Sequence, residues 1–324
     1  MNTNILSCIE DDIHYLFGLI LKDDKYSTLE SISKLTKKST GILRRKQRKE
    51  KDFNSHLMSL IRAANIDLRK GSFSIDETVY SKPYMEFLKL SSSQYSPGKK
   101  GYTKGFKIIL LVWSDGEKTI PVAFKLWYKN LGKTQLEVAK ELIRYAEKLV
   151  KRKHLSFRFD AFYNKKSILS YLHQRNISFA TRLEKSRNVL IGKQLSQLKT
   201  IQFNGRCLLV FLPGVGKVWI TKYKRKYYCS NIRPEYQRQL YEWYAERWCI
   251  ECVFRFVKSE LGLEHCRSIK TIQHYNHIGL CFVAYSFLNL AFEGSSPYEN
   301  KRIMANLMLN KSVRLTKQAK KLIA

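Results

Sequence analysis

Between residues 73 and 174 the hydrophobic period changes in an order that few folds accommodate. Phe73 to Ile75 is a short apolar approach to Asp76. Ser91 to Gly105 is polar and rich in Gly and Ser, and reads as a loop. Phe106 to Trp113 alternates as a strand, Asp115-Gly116 supplies a hairpin turn, and Ile120 to Trp127 is the return strand. Leu136 to Val150 has the spacing of an amphipathic helix. Leu155 to Phe159 is a further strand that ends at Asp160, and Lys165 to Gln174 is helical. Three strands, a helix, a strand and a helix imply an antiparallel trio followed, after a helical crossover, by a strand parallel to the first. The fold class expected is therefore α/β, with a mixed sheet flanked by helices.

The flanks have a different character. Residues 1–70 read as a small helical unit. Ile5 to Leu21 has helical spacing, and Ser27 with Glu30 three residues on has the pattern of a capping box. Thr40-Gly41 breaks the pattern before a helix carrying Arg44, Arg45, Lys46, Arg48, Lys49 and Lys51. Helix, turn and basic helix are compatible with a helix-turn-helix that contacts DNA through Arg44 and Arg45; a solvated basic helix is the plain alternative. Residues 177–232 read as a β-rich insert of short strands, Ser178–Arg182, Gly205–Leu212, Lys217–Lys222 and Lys226–Cys229. Helices are expected over Glu235 to Leu261 and Ile272 to Phe292, and 296–324 as a basic helix or tail.

Charge narrows the partners. The chain of 324 residues has 59 Lys and Arg against 27 Asp and Glu, a formal net charge of +32. Such an excess opposes compaction unless a polyanion is near, and nucleic acid suits it because each phosphate contact releases counterions. A membrane is not expected as partner. No lipid signal or amphipathic anchor is evident, and the most apolar stretch, Ile278 to Phe292, is interrupted by Ser286 and Asn289 and short for a span. No secretory signal opens the chain, and the seven cysteines are scattered, which suits reduced thiols in a cytoplasm, at the nucleoid if the source is bacterial.

One helix concentrates the chemistry. At about 100° per residue, Tyr244, Arg247, Glu251 and Lys258 fall within roughly 60° of one another, while Ile250, Val253, Phe254 and Val257 form a neighbouring apolar stripe. A carboxylate, two cations and a phenol beside a buried face suit a phosphodiester site: an oxygen ligand for a metal, flanked by groups that hold phosphates. An i,i+4 ion pair between Arg247 and Glu251 on a wet face is the bland alternative.

The spacing Tyr-x2-Arg-x3-Glu-x6-Lys over Tyr244–Lys258, within RWCIECVFRFVKSELGLEHCRS, resembles the signature helix of the Asp-Asp-Glu (DDE) transposases of bacterial insertion sequences. FSIDETVYSK and LSFRFDAFYNKKSILSYL resemble the segments that carry that family's two aspartates, which here are Asp76 and Asp160. Over roughly 70–295 the resemblance implies a ribonuclease H-like catalytic domain, with the β-rich insert before the last catalytic helix. It implies that Asp76, Asp160 and Glu251 hold a pair of Mg²⁺ or Mn²⁺ ions for DNA cleavage and strand transfer. Tyr244, Arg247 and Lys258 would grip phosphates, and cleavage would pass through a DNA hairpin. The partners implied are element ends and target DNA, with a homodimer in the synaptic complex. In that group a Trp of the insert stacks on a flipped base; Trp219, between Lys217 and Lys222, is the candidate, against the alternative of a core Trp.

The chemistry asks for this set independently. Phosphodiester transfer needs an in-line nucleophile, a stabilised leaving oxygen and charge neutralisation, and two Mg²⁺ ions about 4 Å apart supply all three. Strand alternation turns Glu77, the local competitor of Asp76, to the other face. Cys249-x2-Cys252 has no second such pair and reads as spectator thiols rather than a zinc site. Gly214-x-Gly216-Lys217 is too short for a phosphate-binding loop and reads as a hairpin turn. Two rivals remain open from sequence: an inactive DNA-binding relative, and another ribonuclease H-like nuclease.

Overall fold

A computed structural model of the chain describes residues 12–21, 30, 33–34, 37–83, 90–96, 100–291 and 296–309. The helix expected to start at Ser27 falls largely outside the described residues, as do Cys8, residues 5–11 and the tail beyond 309. Eleven strands form one sheet: β1 (Ser72–Ser81), β2 (Ser92–Ser96), β3 (Gly101–Ser114), β4 (Thr119–Trp127), β5 (Ser156–Phe159), β6 (Ser178–Leu183), β7 (Asn188–Ile191), β8 (Gln194–Gln197), β9 (Leu208–Leu212), β10 (Gly216–Tyr223) and β11 (Lys226–Ser230). The order is β2-β3-β1-β5-β6-β11-β10-β9-β7-β8, with β4 also on β3.

Strands β4 and β1 each pair antiparallel with β3, while β5 and β6 run parallel to β1. This is the antiparallel trio and crossover that the sequence implies, and the sheet is of the ribonuclease H-like kind. The β3–β4 turn is closed by Asp115, whose Oδ1 accepts from the backbone of Glu117 at 3.0 Å and Lys118 at 2.7 Å. Two features depart from expectation. Part of Ser91–Gly105 is strand rather than loop: β2 pairs with the first residues of β3. The insert also contains β7 and β8, four residues each around Gly192, which sits at φ +58°.

Alternation along β3 divides the interior. Phe106, Ile108, Leu110 and Val112 join one hydrophobic cluster, and Ile109, Leu111 and Trp113 join another on the opposite face. The second cluster is covered by α4 (Gln135–Leu149) and α5 (Lys166–Gln174). Thr134 and Glu137 cap α4 reciprocally, and its Val138, Ala139, Leu142, Ile143 and Ala146 are buried. The first cluster is covered by α7 (Trp248–Ser259) and α8 (Thr271–Ala291), preceded by the short α6 (Gln239–Ala245) and followed by α9 (Pro297–Leu309).

Helices α1 (Ile13–Ile20), α2 (Thr40–Arg48) and α3 (Phe53–Ala63) contribute Leu16, Leu43, Phe53 and Leu57 to that same cluster. Thr40 and Gly41, expected to break a helix, open α2, with Ser39 as its cap. Helix α8 is buried on nearly every side and carries polar side chains that tie it to its neighbours. His274 Nε2 donates to the carbonyl of Ser268 at 2.6 Å, so its Nδ1 accepts from Tyr80 Oη at 2.9 Å. His277 repeats the arrangement, Nε2 donating to Gly262 O and Nδ1 accepting from Tyr15 Oη. Asn276 donates to the carbonyls of Gln47 and Lys49 at the end of α2.

Candidate active site

Phe73, Ser74 and Ile75 of β1 lie opposite Phe157, Arg158 and Phe159 of β5. The next residue on each strand is an aspartate. Asp76, inside β1, and Asp160, just past the end of β5, therefore stand side by side, at the strand spacing of about 4.8 Å. Alternation puts Asp76 on the face packed by α7 and α8 and Glu77 on the other. There Glu77 accepts from Lys107 Nζ at 3.1 Å and from Tyr163 Oη at 2.6 Å, as its position on the strand requires.

The aspartates are braced by backbone. Asp76 Oδ1 accepts from the Glu77 N–H at 2.9 Å, and Asp160 Oδ1 accepts from the Phe162 N–H at 2.8 Å. Glu251 comes from α7, whose Ile250, Val253, Phe254 and Val257 are all buried, so the helix is anchored along the apolar stripe. Arg247 joins the two sources. Its guanidinium donates to Asp76 Oδ2 at 2.8 Å and to Glu251 Oε1 at 2.5 Å. The two carboxylate oxygens thus lie within about 8 Å, two hydrogen bonds and the width of one guanidinium.

The helix expected over Glu235 to Leu261 is broken between α6 and α7, at Glu246 and Arg247. The break separates Tyr244 from the rest of the signature, yet the Tyr244 ring still lies 5.5 Å from the Arg247 guanidinium carbon and 5.2 Å from Tyr228. Lys258 does not join the carboxylates. Its Nζ donates to Val79 O at 3.1 Å and pairs with Glu264 at 3.1 Å. Trp219 lies on β10 opposite Ser230 and Leu209, half-buried, with the Arg233 guanidinium 5.5 Å from its ring. Arg44 and Arg45 are exposed on α2.

Two groups near the carboxylates escaped the sequence reading. Arg158, two residues before Asp160 and on its face of β5, is buried and donates through Nε to Glu246 at 2.9 Å. Arg182 stands one register step past Thr181, which pairs with Phe159, and so flanks Asp160. The parity of a cation with an aspartate inside a strand was the available signal for Arg158.

Burial, with the charges of Asp160 and Glu77, pushes Asp76 up to about 8 from 3.8. Burial also raises Asp160. Burial opposes the Arg247 charge, but Tyr244, Asp76 and Glu251 outweigh it and raise the guanidinium. Two adjacent, dehydrated carboxylates are a concentration of like charge that a divalent cation relieves, and the donor set is all oxygen, as Mg²⁺ prefers. Among the described residues no group of three or more His, Cys, Asp and Glu side chains is already arranged as a metal cage. The reason is local: Arg247 stands between Glu251 and Asp76. Asp76 and Asp160 offer oxygen donors that suit a cation, while Arg247 spans Asp76 and Glu251. Cys249 and Cys252 are free thiols, with Cys249 Sγ against Ser74 Oγ at 3.8 Å. No described helix is long and apolar enough to cross a membrane.

Among solved structures, the chain is similar to piggyBac transposase in its synaptic complex with hairpin DNA. The TM-score is 0.56 at 12% identity, covering 96% of this chain and 75% of that one, a likeness of fold. No curated protein sequence matches the chain. Residues 73–287 match the family described as the transposase DDE domain, a span that runs from β1 into α8 and holds Asp76, Asp160 and Glu251 in order. On that match, the chain belongs to the DDE transposases, enzymes that cut and join DNA.

Proposed function

We propose that the chain is the transposase of a bacterial insertion sequence, cleaving the ends of its element and joining the 3′ hydroxyls to target DNA. The observation that carries this reading is the parallel register of β1 and β5, which sets Asp76 beside Asp160, with Glu251 tied to Asp76 through Arg247. Asp76, Asp160 and Glu251 would hold a pair of Mg²⁺ or Mn²⁺ ions. Held there, such ions would supply activation of the attacking water or hydroxyl and charge neutralisation at the leaving oxygen.

The remaining groups position DNA. Arg247 is aimed at the site and exchanges its carboxylates for a backbone phosphate, which frees Glu251. Tyr244 and Lys258 hold neighbouring phosphates, Lys258 after leaving the Val79 carbonyl. Trp219 offers a partly exposed indole to an unpaired base, in keeping with cleavage through a hairpin. Arg44 and Arg45 contact the element end from α2, in a DNA-binding unit of residues 1–70. The catalytic unit is 71–295, with its insert at 177–232, and 296–324 is a basic helix or tail, of which α9 is the described part. Two subunits act in the synaptic complex, at the bacterial nucleoid.

The test is cleavage of a labelled duplex carrying the terminal repeat that flanks the gene, with Mg²⁺ or Mn²⁺. Asp160→Ala and Glu251→Ala should each abolish cleavage while end binding stays measurable. Cleavage by either variant at the parent rate refutes the assignment.

A further inference from the structure

We propose that Arg158 and Glu246 form a positioning clamp that fixes the break between α6 and α7 and so aims Arg247 and Glu251 at Asp76. The inference rests on the reading of Asp76, Asp160 and Glu251 as the cleavage site. Arg158 and Glu246 do no bond chemistry; they act through the residues they place.

Four observations meet at the break. Backbone bonds there are spaced three residues apart, Arg247 N–H to Tyr244 O at 3.1 Å, Cys249 N–H to Glu246 O at 3.2 Å and Ile250 N–H to Arg247 O at 3.2 Å. Such tightening marks a strained or hinge-like stretch inside a helical run. The residue at its head, Glu246, is bound by Arg158 Nε at 2.9 Å, and Arg158 is anchored in turn to Ser156 Oγ at 2.6 Å. Arg158 is a charge buried inside a strand, its side chain 9% exposed against 43% for Glu246. Finally, the residue after Glu246 is Arg247, whose fork reaches Asp76 and Glu251.

Energetics favour a positional role over a stabilising one. Dehydrating a guanidinium offsets most of what its ion pair contributes, so a buried pair adds little net stability. What it adds is direction. Arg158 stands two residues from Asp160 on a strand fixed between β1 and β6, so it is a rigid point within the site itself. Fastening the helix break to that point sets where Arg247 and Glu251 emerge relative to both aspartates. An uninterrupted helix would carry Arg247 and Glu251 along its own rotation, unreferenced to β5.

The experiment pairs amide hydrogen exchange of the full chain, free of DNA, with single-turnover cleavage of the terminal-repeat duplex. Glu246→Ala and Arg158→Met should each speed exchange over 247–251 about tenfold, with α8 unchanged. Each should slow cleavage about tenfold with end affinity held. Glu246→Gln keeps an oxygen acceptor for Arg158 and should recover most of the rate. The double variant should be no slower than either single one, because both remove the same contact. Unchanged exchange over 247–251 in Glu246→Ala, or losses that add in the double variant, overturns the clamp. Should Arg158→Met fail to fold, Glu246→Ala carries the test from the exposed side of the pair. A parent protein that does not cleave removes the proposed function instead, and the exchange measurement still decides the clamp.

Discussion

Asp76→Asn should make the protein more stable while abolishing cleavage, and the stability gain should grow with pH. The carboxyl is raised from 3.8 to about 8, chiefly by burial and then by Asp160 and Glu77, with Arg247 already counted against the rise. A carboxyl raised on folding gives its full contribution only below its unfolded pKa, and loses it as pH climbs towards the folded value. At pH 7 the folded state therefore takes up a proton, or holds an unfavourable charge, at a cost of up to about 4 kcal/mol. Asparagine has nearly the same shape, cannot ionise, and keeps one oxygen for the Glu77 N–H, while its amide NH2 replaces the oxygen that accepts from Arg247 and trims the gain. The expected gain at pH 7 is about 2–4 kcal/mol, several degrees in Tm, shrinking to about 1–2 kcal/mol at pH 5. The assay is denaturant unfolding with chelator across pH 5 to 8. Adding Mg²⁺ should narrow the gap, because a cation that binds the folded carboxylate stabilises only the parent. An Asn variant less stable than the parent throughout, or a gap that does not widen with pH, would refute the reasoning.

His274 and His277 should dominate the acid side: burial lowers them to about 4 and about 3, so their contribution is complete above pH 6.5 and lost as pH falls through those values. Unfolding midpoints should drop over that window by the equivalent of about 3 kcal/mol or more, and a flat profile would count against the buried neutral rings. Gly279→Ala should destabilise by about 1–3 kcal/mol, because the added Cβ would lie 2.2 Å from Phe53 Cγ where α8 meets α3. Thermal unfolding by circular dichroism decides that one, and an unchanged Tm would show that Phe53 can move.

Much of the site was legible because strands and helices place residues by simple periods. Alternation along FSIDET put Asp76 on one face and Glu77 on the other, and Lys107 and Tyr163 hold Glu77 there. The antiparallel pairing of β1, β3 and β4 and the parallel return to β5 were legible from the sequence of periods. The break at Glu246 and Arg247 was not, since both residues keep right-handed helical backbone angles, and what marks them is backbone bonds spaced three residues apart beside a contact from the distant Arg158. Lys258 shares the helix face of Glu251 but was assigned by rotation, which says nothing of distance along the axis or of the Val79 carbonyl that claims it. Strand β2 escaped because its SSQYS has little apolar content; pairing to β3 overrides local propensity. Strands β7 and β8 are too short for alternation to declare itself.

Anomalous scattering from Mn²⁺, in crystals of the chain bound to a terminal-repeat end, reaches the central question without relying on rates. The account predicts manganese ligated by oxygens of Asp76 and Asp160, with Glu251 at the same ions and Arg247 moved onto a phosphate. Manganese bound elsewhere, with Arg247 still spanning Asp76 and Glu251 beside the DNA, would contradict it.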